Sequence, residues 1–220
     1  MHTVQKSKRI AAEDEASAQP PQDSGSLRER KHEFALREIE RAAWDLFCAV
    51  GFDRTTVEQI SRDAGVSRRT FFRYFRTKED VLSYSVERFG KRVAERFASL
   101  PSKRKPLAAL EEAFLSVSRE DVKHARKPKE MLSLMFNEPC LRGRFLFGLD
   151  LWIPVLSAEL ARRKAYRGDA ARCELAASLY CTAFDRAHVR WYREGAGDLP
   201  SQLKRAFRQL RELEGASLPR

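Results

Sequence analysis

Apolar residues recur at helical spacing along almost the whole chain after residue 27. The first stripe has members three, seven, ten, eleven and fourteen positions after its first residue: Leu36, Ile39, Ala43, Leu46, Phe47 and Val50. A stripe of this period predicts an amphipathic helix. Comparable stripes follow as far as Leu213, and the sequence has neither strand-like alternation nor a repeat of fixed period. The pattern therefore predicts an all-α fold.

Capping and turn residues divide the first part of this pattern into short helices. Thr55 and Glu58 are three positions apart, which predicts a capping box at the start of a second helix. Gly65 ends that helix, and Ser67 can cap the next one. A glycine at such a junction suits a sharp turn with positive φ. We therefore predict two short helices joined by a tight turn within residues 55–75.

The rest of the chain predicts longer helices. Residues that typically start or stop a helix mark their ends: Thr77, Pro101, Pro106, Pro128, Asp169, Gly195 and Pro200. One segment, from about residue 141 to residue 163, contains Pro154, where we expect a bend.

Composition adds a preference for acidic partners. The 220 residues include 42 Lys and Arg against 31 Asp and Glu, which gives a net charge of +11, and 43% of the residues are hydrophobic. A surplus of this size favours polyanions, although it does not determine the fold. Residues 1–27 hold few large apolar side chains, so we predict a disordered N-terminal arm. Either it is a solvated tail, or its basic tip (Lys6, Lys8 and Arg9) reaches DNA.

The four cysteines and four histidines are scattered, without the spacing of a disulfide framework or a zinc site. We therefore expect reduced thiols and no cofactor. The first residues lead into charge and proline rather than an apolar run, which disfavours a signal peptide. The most apolar stretch, residues 145–156, is too short to span a bilayer. These features predict a soluble, cytoplasmic protein.

The segment after Gly65 concentrates positive charge. Five cations and no acid lie between Val66 and Lys78, and Glu79 and Asp80 follow at once. On a helical wheel Phe71 and Phe75 face the supporting helices. The opposite side carries Arg69, Phe72, Arg73 and Arg76. Arginine can bond guanine and an aromatic ring can contact a thymine methyl, so this helix suits the major groove of DNA. Flanking side chains suit phosphates: Thr56, Ser67, Thr70, Tyr74 and Lys78.

At these residues the sequence resembles the TetR family of bacterial regulators. The matching pattern covers about residues 32–92 and runs through Ala42-Ala43, Leu46-Phe47, Gly51-Phe52, Thr55-Thr56-Val57, Ile60, Ala64-Gly65-Val66-Ser67, Thr70-Phe71-Phe72-Arg73-Tyr74-Phe75, Lys78-Glu79 and Leu82. The resemblance implies a three-helix helix-turn-helix head, joined by the fourth helix to a larger all-α ligand-binding and dimerisation body. It implies base contacts by Arg68, Arg69 and Phe72, and phosphate contacts by Thr56, Thr70, Tyr74 and Lys78.

Two residues depart from the family pattern. The family usually has tyrosine where this chain has Phe72, so a hydroxyl contact to DNA is missing there. Ser61 replaces a common alanine in the second helix, which we expect to alter only the packing. Beyond about residue 95 the resemblance is one of architecture alone.

We accordingly divide the chain into an arm (1–27), a DNA-binding domain (28–92) and an effector-binding and dimerisation domain (93–220). A short recognition helix favours a symmetric dimer on two half-sites of double-stranded DNA. We predict the dimer interface on the last two helices, with an apolar seam of Leu203, Phe207, Leu210 and Leu213 and small residues Ala176, Ala177 and Ala183. The seam could instead pack within one chain.

Large apolar side chains in the body could line a cavity for a small-molecule effector. We name as candidates Met135, Phe145, Trp152, Phe184 and His188, with Asp185 as another polar anchor. The prediction is a homodimeric repressor released from a palindromic operator by a small apolar or amphipathic ligand. The alternative is an activator or constitutive regulator that needs no ligand. An enzyme is disfavoured, because the sequence has no phosphate-binding loop, metal-ligand spacing or nucleophile elbow.

Overall fold

The computed structural model of the chain describes residues 27–124, 127–195 and 197–215. Within these ranges it contains nine α-helices, one short 3₁₀ helix and no strand. The α-helices are α1 (Leu27–Val50), α2 (Val57–Asp63), α3 (Arg68–Tyr74), α4 (Asp80–Ser99), α5 (Pro106–His124), α6 (Pro128–Asn137), α7 (Pro139–Ala161), α8 (Ala170–Glu194) and α9 (Leu199–Gly215). The 3₁₀ helix is Lys164–Tyr166. The predicted all-α fold is confirmed.

The chain divides into two units at Ala35. The described part of the first unit is the beginning of α1, from Leu27 to Ala35. The second unit starts at Leu36 and contains every contact discussed below. Apart from Leu27, which belongs to α1, the predicted N-terminal arm lies outside the described residues.

The first three helices of the second unit are held together by aromatic residues. Phe47 of α1 packs on Phe52 with 5.0 Å between ring centroids. Phe71 is fully buried and lies 5.6 Å from the ring of Phe75, as the helical wheel predicts. Gly65 turns the chain between α2 and α3 with a φ of 65°. A β-carbon there would meet no atom within 4 Å, so backbone conformation rather than space calls for the glycine.

The cap of α2 lies one residue later than the sequence predicts. Thr56, not Thr55, accepts a hydrogen bond from the Gln59 backbone N–H, and the Gln59 side chain accepts one from the Thr56 N–H in return. Thr55 is buried and donates its hydroxyl to the carbonyl of Gly51 at 2.8 Å. The predicted Thr55–Glu58 box is therefore wrong, because the sequence offers two adjacent threonines and tertiary burial selects between them.

Helices α4 and α7 approach each other closely. A β-carbon on Gly90 of α4 would overlap the indole of Trp152, and one on Gly148 of α7 would overlap Val86. The Trp152 indole N–H donates to the Val86 carbonyl at 3.1 Å. The boundary predicted between residues 92 and 93 falls inside α4, so this helix belongs to both the head and the body.

The C-terminal end of α4 is fixed by a buried arginine. The Arg163 side chain is 6% exposed and donates to the carbonyls of Phe97, Leu100 and Pro101 at 2.6, 3.1 and 3.0 Å. Its guanidinium also lies over the Phe97 ring, 4.6 Å from the centroid. The carbonyls of Phe97 and Pro101 also accept the backbone N–H groups of Leu100 and Arg104, so the arginine adds a charged donor to this end of α4 and joins it to the segment after α7.

The apolar seam predicted on α9 belongs mainly to the interior. Leu203 and Phe207 are fully buried within one chain, and Ala176, Ala177 and Ala183 of α8 are at most 9% exposed. The surfaces of these residues are covered within one chain, and the dimer interface on the last two helices stays a prediction. Leu213 is 72% exposed, and Leu210 is partly buried against the core. The sequence alone does not distinguish a stripe that packs within one chain from a stripe that packs between two copies.

Among the described helices, none combines the length and the apolar character that crossing a membrane would require.

Candidate nucleic-acid interface and ligand cavity

Helix α3 presents its cations on one face. Arg68, Arg69 and Arg73 are exposed, as is Arg76 just after the helix. Phe72 lies among them with 44% of its surface exposed, an unusual position for a large apolar ring. Phe71 anchors the other face in the core. The helix thus offers guanidinium groups and one aromatic ring to a partner.

Only weak contacts hold these arginines in place. Arg68 pairs with Glu58 of α2 at 2.9 Å, but both side chains are more than half exposed, so the pair contributes little to stability. Arg73 donates to the Tyr74 hydroxyl at 2.8 Å and lies over its ring. For Arg69, no side-chain partner occurs in the described residues. The guanidinium groups are therefore available to another molecule.

The hydroxyl groups predicted to contact phosphates surround the start of α3. Ser67 caps the helix by accepting the Thr70 N–H at 3.0 Å, and the hydroxyls of Ser67 and Thr70 lie 2.9 Å apart. Thr56 caps α2 and is exposed. Both helices therefore present N-terminal backbone and hydroxyl groups, which are common phosphate contacts.

Lys78 differs from the phosphate contact that the sequence predicts. Its ammonium donates to the carbonyls of Phe52, Asp53 and Thr55 at 2.7, 3.3 and 3.0 Å. It also lies over the Phe52 ring. All three ammonium protons are thus committed, and Lys78 ties the start of α4 to the loop between α1 and α2.

The body contains a cavity of about 710 Å³, a volume typical of small-molecule sites. Helices α1, α4, α6, α7 and α8 contribute most of its wall. The wall includes all five residues named from the sequence: Met135, Phe145, Trp152, Phe184 and His188. Three other large residues of the body lie elsewhere: Phe114 is core, Phe136 stacks on Tyr192, and Phe147 is exposed.

One part of the cavity wall is aromatic. Phe184 lies 4.4 Å from the His188 ring, 5.3 Å from Trp152 and 6.3 Å from Phe145, measured between centroids. The His188 Nδ1 contacts the Phe184 carbonyl at 2.9 Å, and burial lowers the pKa of His188 to about 4. The ring is therefore neutral near pH 7.

The other part of the wall is charged and was missed in the sequence. Arg88 of α4 pairs with Glu40 of α1 at 3.0 Å. Arg92 pairs with Glu120 at 2.7 Å and also with Asp121. Trp44 of α1 donates its indole N–H to the Ser85 hydroxyl at 3.1 Å. A second stripe on α1, formed by Glu40, Trp44 and Cys48 at spacings of four, was the available signal.

Two further polar groups, the Asp185 carboxylate and the Cys48 thiol, are occupied or unreactive. Asp185 does not line the cavity, and its carboxylate accepts a hydrogen bond from Arg142 at 2.5 Å and also contacts Arg186. Burial raises the pKa of the Cys48 thiol to about 11, so the thiol stays protonated on the cavity wall. In the part of the chain that the structure describes, no group of three or more His, Cys, Asp or Glu residues is placed to hold a metal ion.

A polar link joins the body to the end of the recognition helix. Arg144 of α7 donates to Asp80 at 2.8 Å and to Ser83 at 3.2 Å. The second Asp80 oxygen accepts the backbone N–H groups of Arg76 and Thr77, each at 3.0 Å. Asp80 therefore connects α7 to the segment that directly follows α3.

Two family models match the chain. Residues 39–84 match the model described as bacterial regulatory proteins of the tetR family, and residues 104–214 match the MftR C-terminal domain. The first match covers the second half of α1, helices α2 and α3, and the start of α4. The second covers α5 to α9, which is half of the chain.

Individual relatives agree with these matches. The chain is 34% identical to the HTH-type transcriptional regulator TcmR of Streptomyces glaucescens over 107 residues, and this alignment spans only 49% of the chain and 47% of TcmR. It is 24% identical to MftR of Mycobacterium tuberculosis, with 87% of the chain and 94% of MftR covered.

A solved structure extends the agreement to the fold. FadR of Thermus thermophilus, a TetR-family repressor crystallised with lauroyl-CoA, is 26% identical with a TM-score of 0.55. The likeness covers 84% of this chain and 96% of that one. With an exposed basic recognition helix in its head and family models matching both its head and its body, the chain belongs to the TetR family of transcriptional regulators.

Proposed function

We propose that the protein is a homodimeric repressor that leaves a palindromic operator when a small apolar or amphipathic molecule fills the cavity. The observation that carries this proposal is the composition of the cavity wall. Residues of α1, which supports the recognition helix, line the same cavity as residues of α6, α7 and α8. A ligand there contacts the head directly and can favour one arrangement of head and body.

The proposed DNA contacts follow from exposure and chemistry. Arg68, Arg69 and Phe72 contact base edges, and Arg73 lies beside them on the same exposed face. Thr56, Ser67, Thr70 and Tyr74 contact phosphates. Lys78 holds the loop between α1 and α2 in place, since its protons are committed to carbonyls.

The proposed dimer interface lies on the outer face of α7 and α8. Phe147, Leu151 and Val155 are four positions apart on α7, with exposed fractions of 65%, 42% and 48%. On the neighbouring α8, Leu175 and Leu179 are also exposed. The outward face of α9 instead carries charged and polar side chains: Lys204, Arg205, Arg208, Gln209, Arg211 and Glu212. A self-complementary apolar face of this kind suits a two-fold dimer.

The two kinds of wall in the cavity support an amphipathic ligand. The aromatic part suits an acyl chain or ring, and the charged part suits a polar head group. FadR was crystallised with lauroyl-CoA, a molecule with both parts. The cavity also favours a ligand-released regulator over one that needs no ligand.

Ligand binding reaches DNA through α4. The Arg144–Asp80 contact and the Arg88–Glu40 contact hold α4 to α7 and to α1. A ligand that displaces α4 changes both contacts, and with them the position of α3. In a dimer, this alters the separation of the two recognition helices.

Selection of bound duplexes from a random pool tests the proposal for DNA. We expect a palindrome, and an affinity for it that falls steeply as salt rises, because bound cations release counterions from DNA. Affinity that does not change with salt, or selection of no common sequence, would show that the protein is not the proposed operator-binding repressor.

Two matched variants test the interface. We expect Leu151→Glu to give monomers in analytical ultracentrifugation, because it places a charge in the α7 face. Leu213→Glu, an equivalent change on exposed α9, should leave the dimer intact. If Leu213→Glu alone separates the subunits, the interface lies on α9 as the sequence predicts.

Lauroyl-CoA tests release. Added to the complex of the protein with its selected palindrome, it should displace DNA in proportion to its own binding, measured by fluorescence anisotropy. Arg144→Ala should bind lauroyl-CoA normally but show weaker displacement. Binding of lauroyl-CoA without any loss of DNA would contradict the coupling.

A further inference from the structure

We propose that the aromatic part of the cavity selects ligands that carry one neutral hydrogen-bond donor, a hydroxyl or an N–H, placed against Nε2 of His188. This inference rests on the proposed function, because it assigns a ligand class to the same cavity. It goes further in naming the residue that discriminates between apolar ligands and the chemical group that this residue recognises.

The hydrogen bond of His188 fixes which ring nitrogen carries the proton. Nδ1 lies 2.9 Å from the carbonyl oxygen of Phe184, one turn earlier on α8. A carbonyl only accepts, so Nδ1 must donate. Since the ring is neutral near pH 7, its single proton is on Nδ1, and Nε2 keeps a free lone pair.

The position of the ring directs that lone pair to the ligand. The Nδ1 edge faces the backbone of its own helix, so the Nε2 edge faces away from α8. His188 is 9% exposed and lines the cavity, and the rings of Phe145 and Phe184 flank it. Nε2 has no hydrogen-bond partner among the residues that the structure describes.

The other uncharged side-chain nitrogens of the cavity wall are already bonded. The indole of Trp152 donates to Val86 at 3.1 Å, and that of Trp191 donates to Gly197 at 3.2 Å. The indole of Trp44 donates to Ser85. Along the described wall, Nε2 is therefore the one uncharged nitrogen left for a ligand.

This geometry separates classes of ligand. A buried acceptor without a donor is costly, so a ligand with a hydroxyl binds more tightly than one of the same shape without it. A carboxylate brings negative charge and no proton to an apolar region, and it faces a lone pair. The nearby pair of Arg142 and Asp185 does not line the cavity, although Nη1 of Arg142 has no hydrogen-bond partner in the described part of the chain. The aromatic part thus prefers an alcohol, phenol or amide.

Three related probes test the inference by calorimetry: para-hexylphenol, its methyl ether and para-hexylbenzoate. We expect the phenol to bind wild-type protein about tenfold more tightly than the ether, and the benzoate to bind most weakly. His188→Phe should bind phenol and ether equally, with ether affinity retained. His188→Gln, which keeps an acceptor oxygen, should restore part of the preference.

The tautomer gives a second readout that does not depend on folding of a variant. NMR of isotope-labelled histidine should show the His188 proton on Nδ1, and the Nε2 resonance should shift when the phenol binds but not when the ether binds. A proton on Nε2 in the free protein would overturn the inference.

The outcomes separate this inference from the proposed function. If phenol and ether bind equally and both displace DNA, the preference for a donor is wrong and ligand release stands. If neither probe binds, the assigned ligand class is wrong, and the displacement of DNA by lauroyl-CoA still tests whether a ligand releases the protein from its operator. If the phenol preference holds but DNA stays bound, the inference stands and release fails.

Discussion

The arginines of α3 and those of the body share the same chemistry but differ in their surroundings. Arg69 is exposed and has no side-chain partner in the described residues. Arg163, in contrast, is buried and donates to three carbonyls, and Arg142 is held by Asp185. The same side chain is therefore available to a partner in one region and committed to the fold in the other.

This difference shows why net charge alone predicts little about function. Of the many cations that give the chain its charge of +11, several in the body are paired with acids or carbonyls. The segment from Val66 to Lys78 contains no acid, so its arginines have only weak, exposed contacts such as the pair of Arg68 with Glu58. Local absence of acids, rather than the number of cations, is therefore what distinguishes the proposed nucleic-acid surface.

The largest expected effect comes from a committed cation. Arg163→Ala should lower the free energy of unfolding by about 3 kcal/mol, because three charged hydrogen bonds to carbonyls and the packing on the Phe97 ring are lost. Chemical denaturation measures the change. Arg162→Ala removes the neighbouring exposed arginine and should change stability little. Equal losses in the two variants would mean that burial does not distinguish these arginines.

The buried imidazole of His188 predicts that the stability of the protein depends on pH. Burial, with a contribution from Arg142, keeps the pKa of His188 near 4 in spite of opposing effects from the Phe184 carbonyl and Asp185. Between about pH 6.5 and about pH 4 the histidine is therefore protonated in the unfolded chain but neutral in the folded chain. The free energy of unfolding falls as the pH drops through this range.

For this one group the loss between pH 7.5 and pH 5 should be about 2 kcal/mol. Chemical denaturation of the wild-type protein and of His188→Phe at both pH values isolates the contribution of His188, because all other titrating groups are present in both proteins. An identical pH profile for the two would place the histidine in a less buried setting.

An available cation should affect binding and not stability. Arg69→Ala should weaken binding to the selected palindrome by about tenfold, as loss of a base contact does, while the melting temperature stays unchanged. Anisotropy and calorimetry measure the two quantities. Arg193→Ala, an exposed arginine at the end of α8, removes the same charge and should preserve affinity. A parallel decrease in both variants would indicate a general charge effect.

The smallest expected effect concerns a buried hydroxyl of the head that makes no hydrogen bond to the described residues. Ser61 is 4% exposed, and its hydroxyl has no partner in the described part of the chain. Ser61→Ala should therefore stabilise the protein by about 1 kcal/mol. Ser85→Ala removes a hydroxyl with two hydrogen bonds and should destabilise it. A loss of stability in Ser61→Ala would mean that the hydroxyl is satisfied.

Local rules predicted much of the fold. Asp169 caps α8 by accepting the Arg172 N–H, and Gly195 ends that helix with a φ of 65°, both as the sequence indicates. Such features depend on neighbouring residues only. The aromatic residues of the cavity wall were also predictable, since their size and helical spacing place them inside the body.

Features that depend on tertiary contacts were not predictable. Nothing in the sequence tells Thr55 from Thr56 as a cap, or shows that Lys78 reaches carbonyls more than twenty residues earlier. The α9 stripe with Leu203 and Phe207 predicts burial but not the neighbour that covers it. For the same reason the apolar face of α7 emerges only from the structure.

The glycines at the contact between α4 and α7 determine how motion passes between the two helices. Where side chains separate two helices, a change of rotamer can absorb a small displacement. Gly90 and Gly148 contribute no side chain to the contact, so the indole of Trp152 and the side chain of Val86 lie directly on the opposing backbone. At these two points one side chain, rather than two, therefore separates α4 from α7, which leaves fewer rotatable bonds to absorb a shift of either helix.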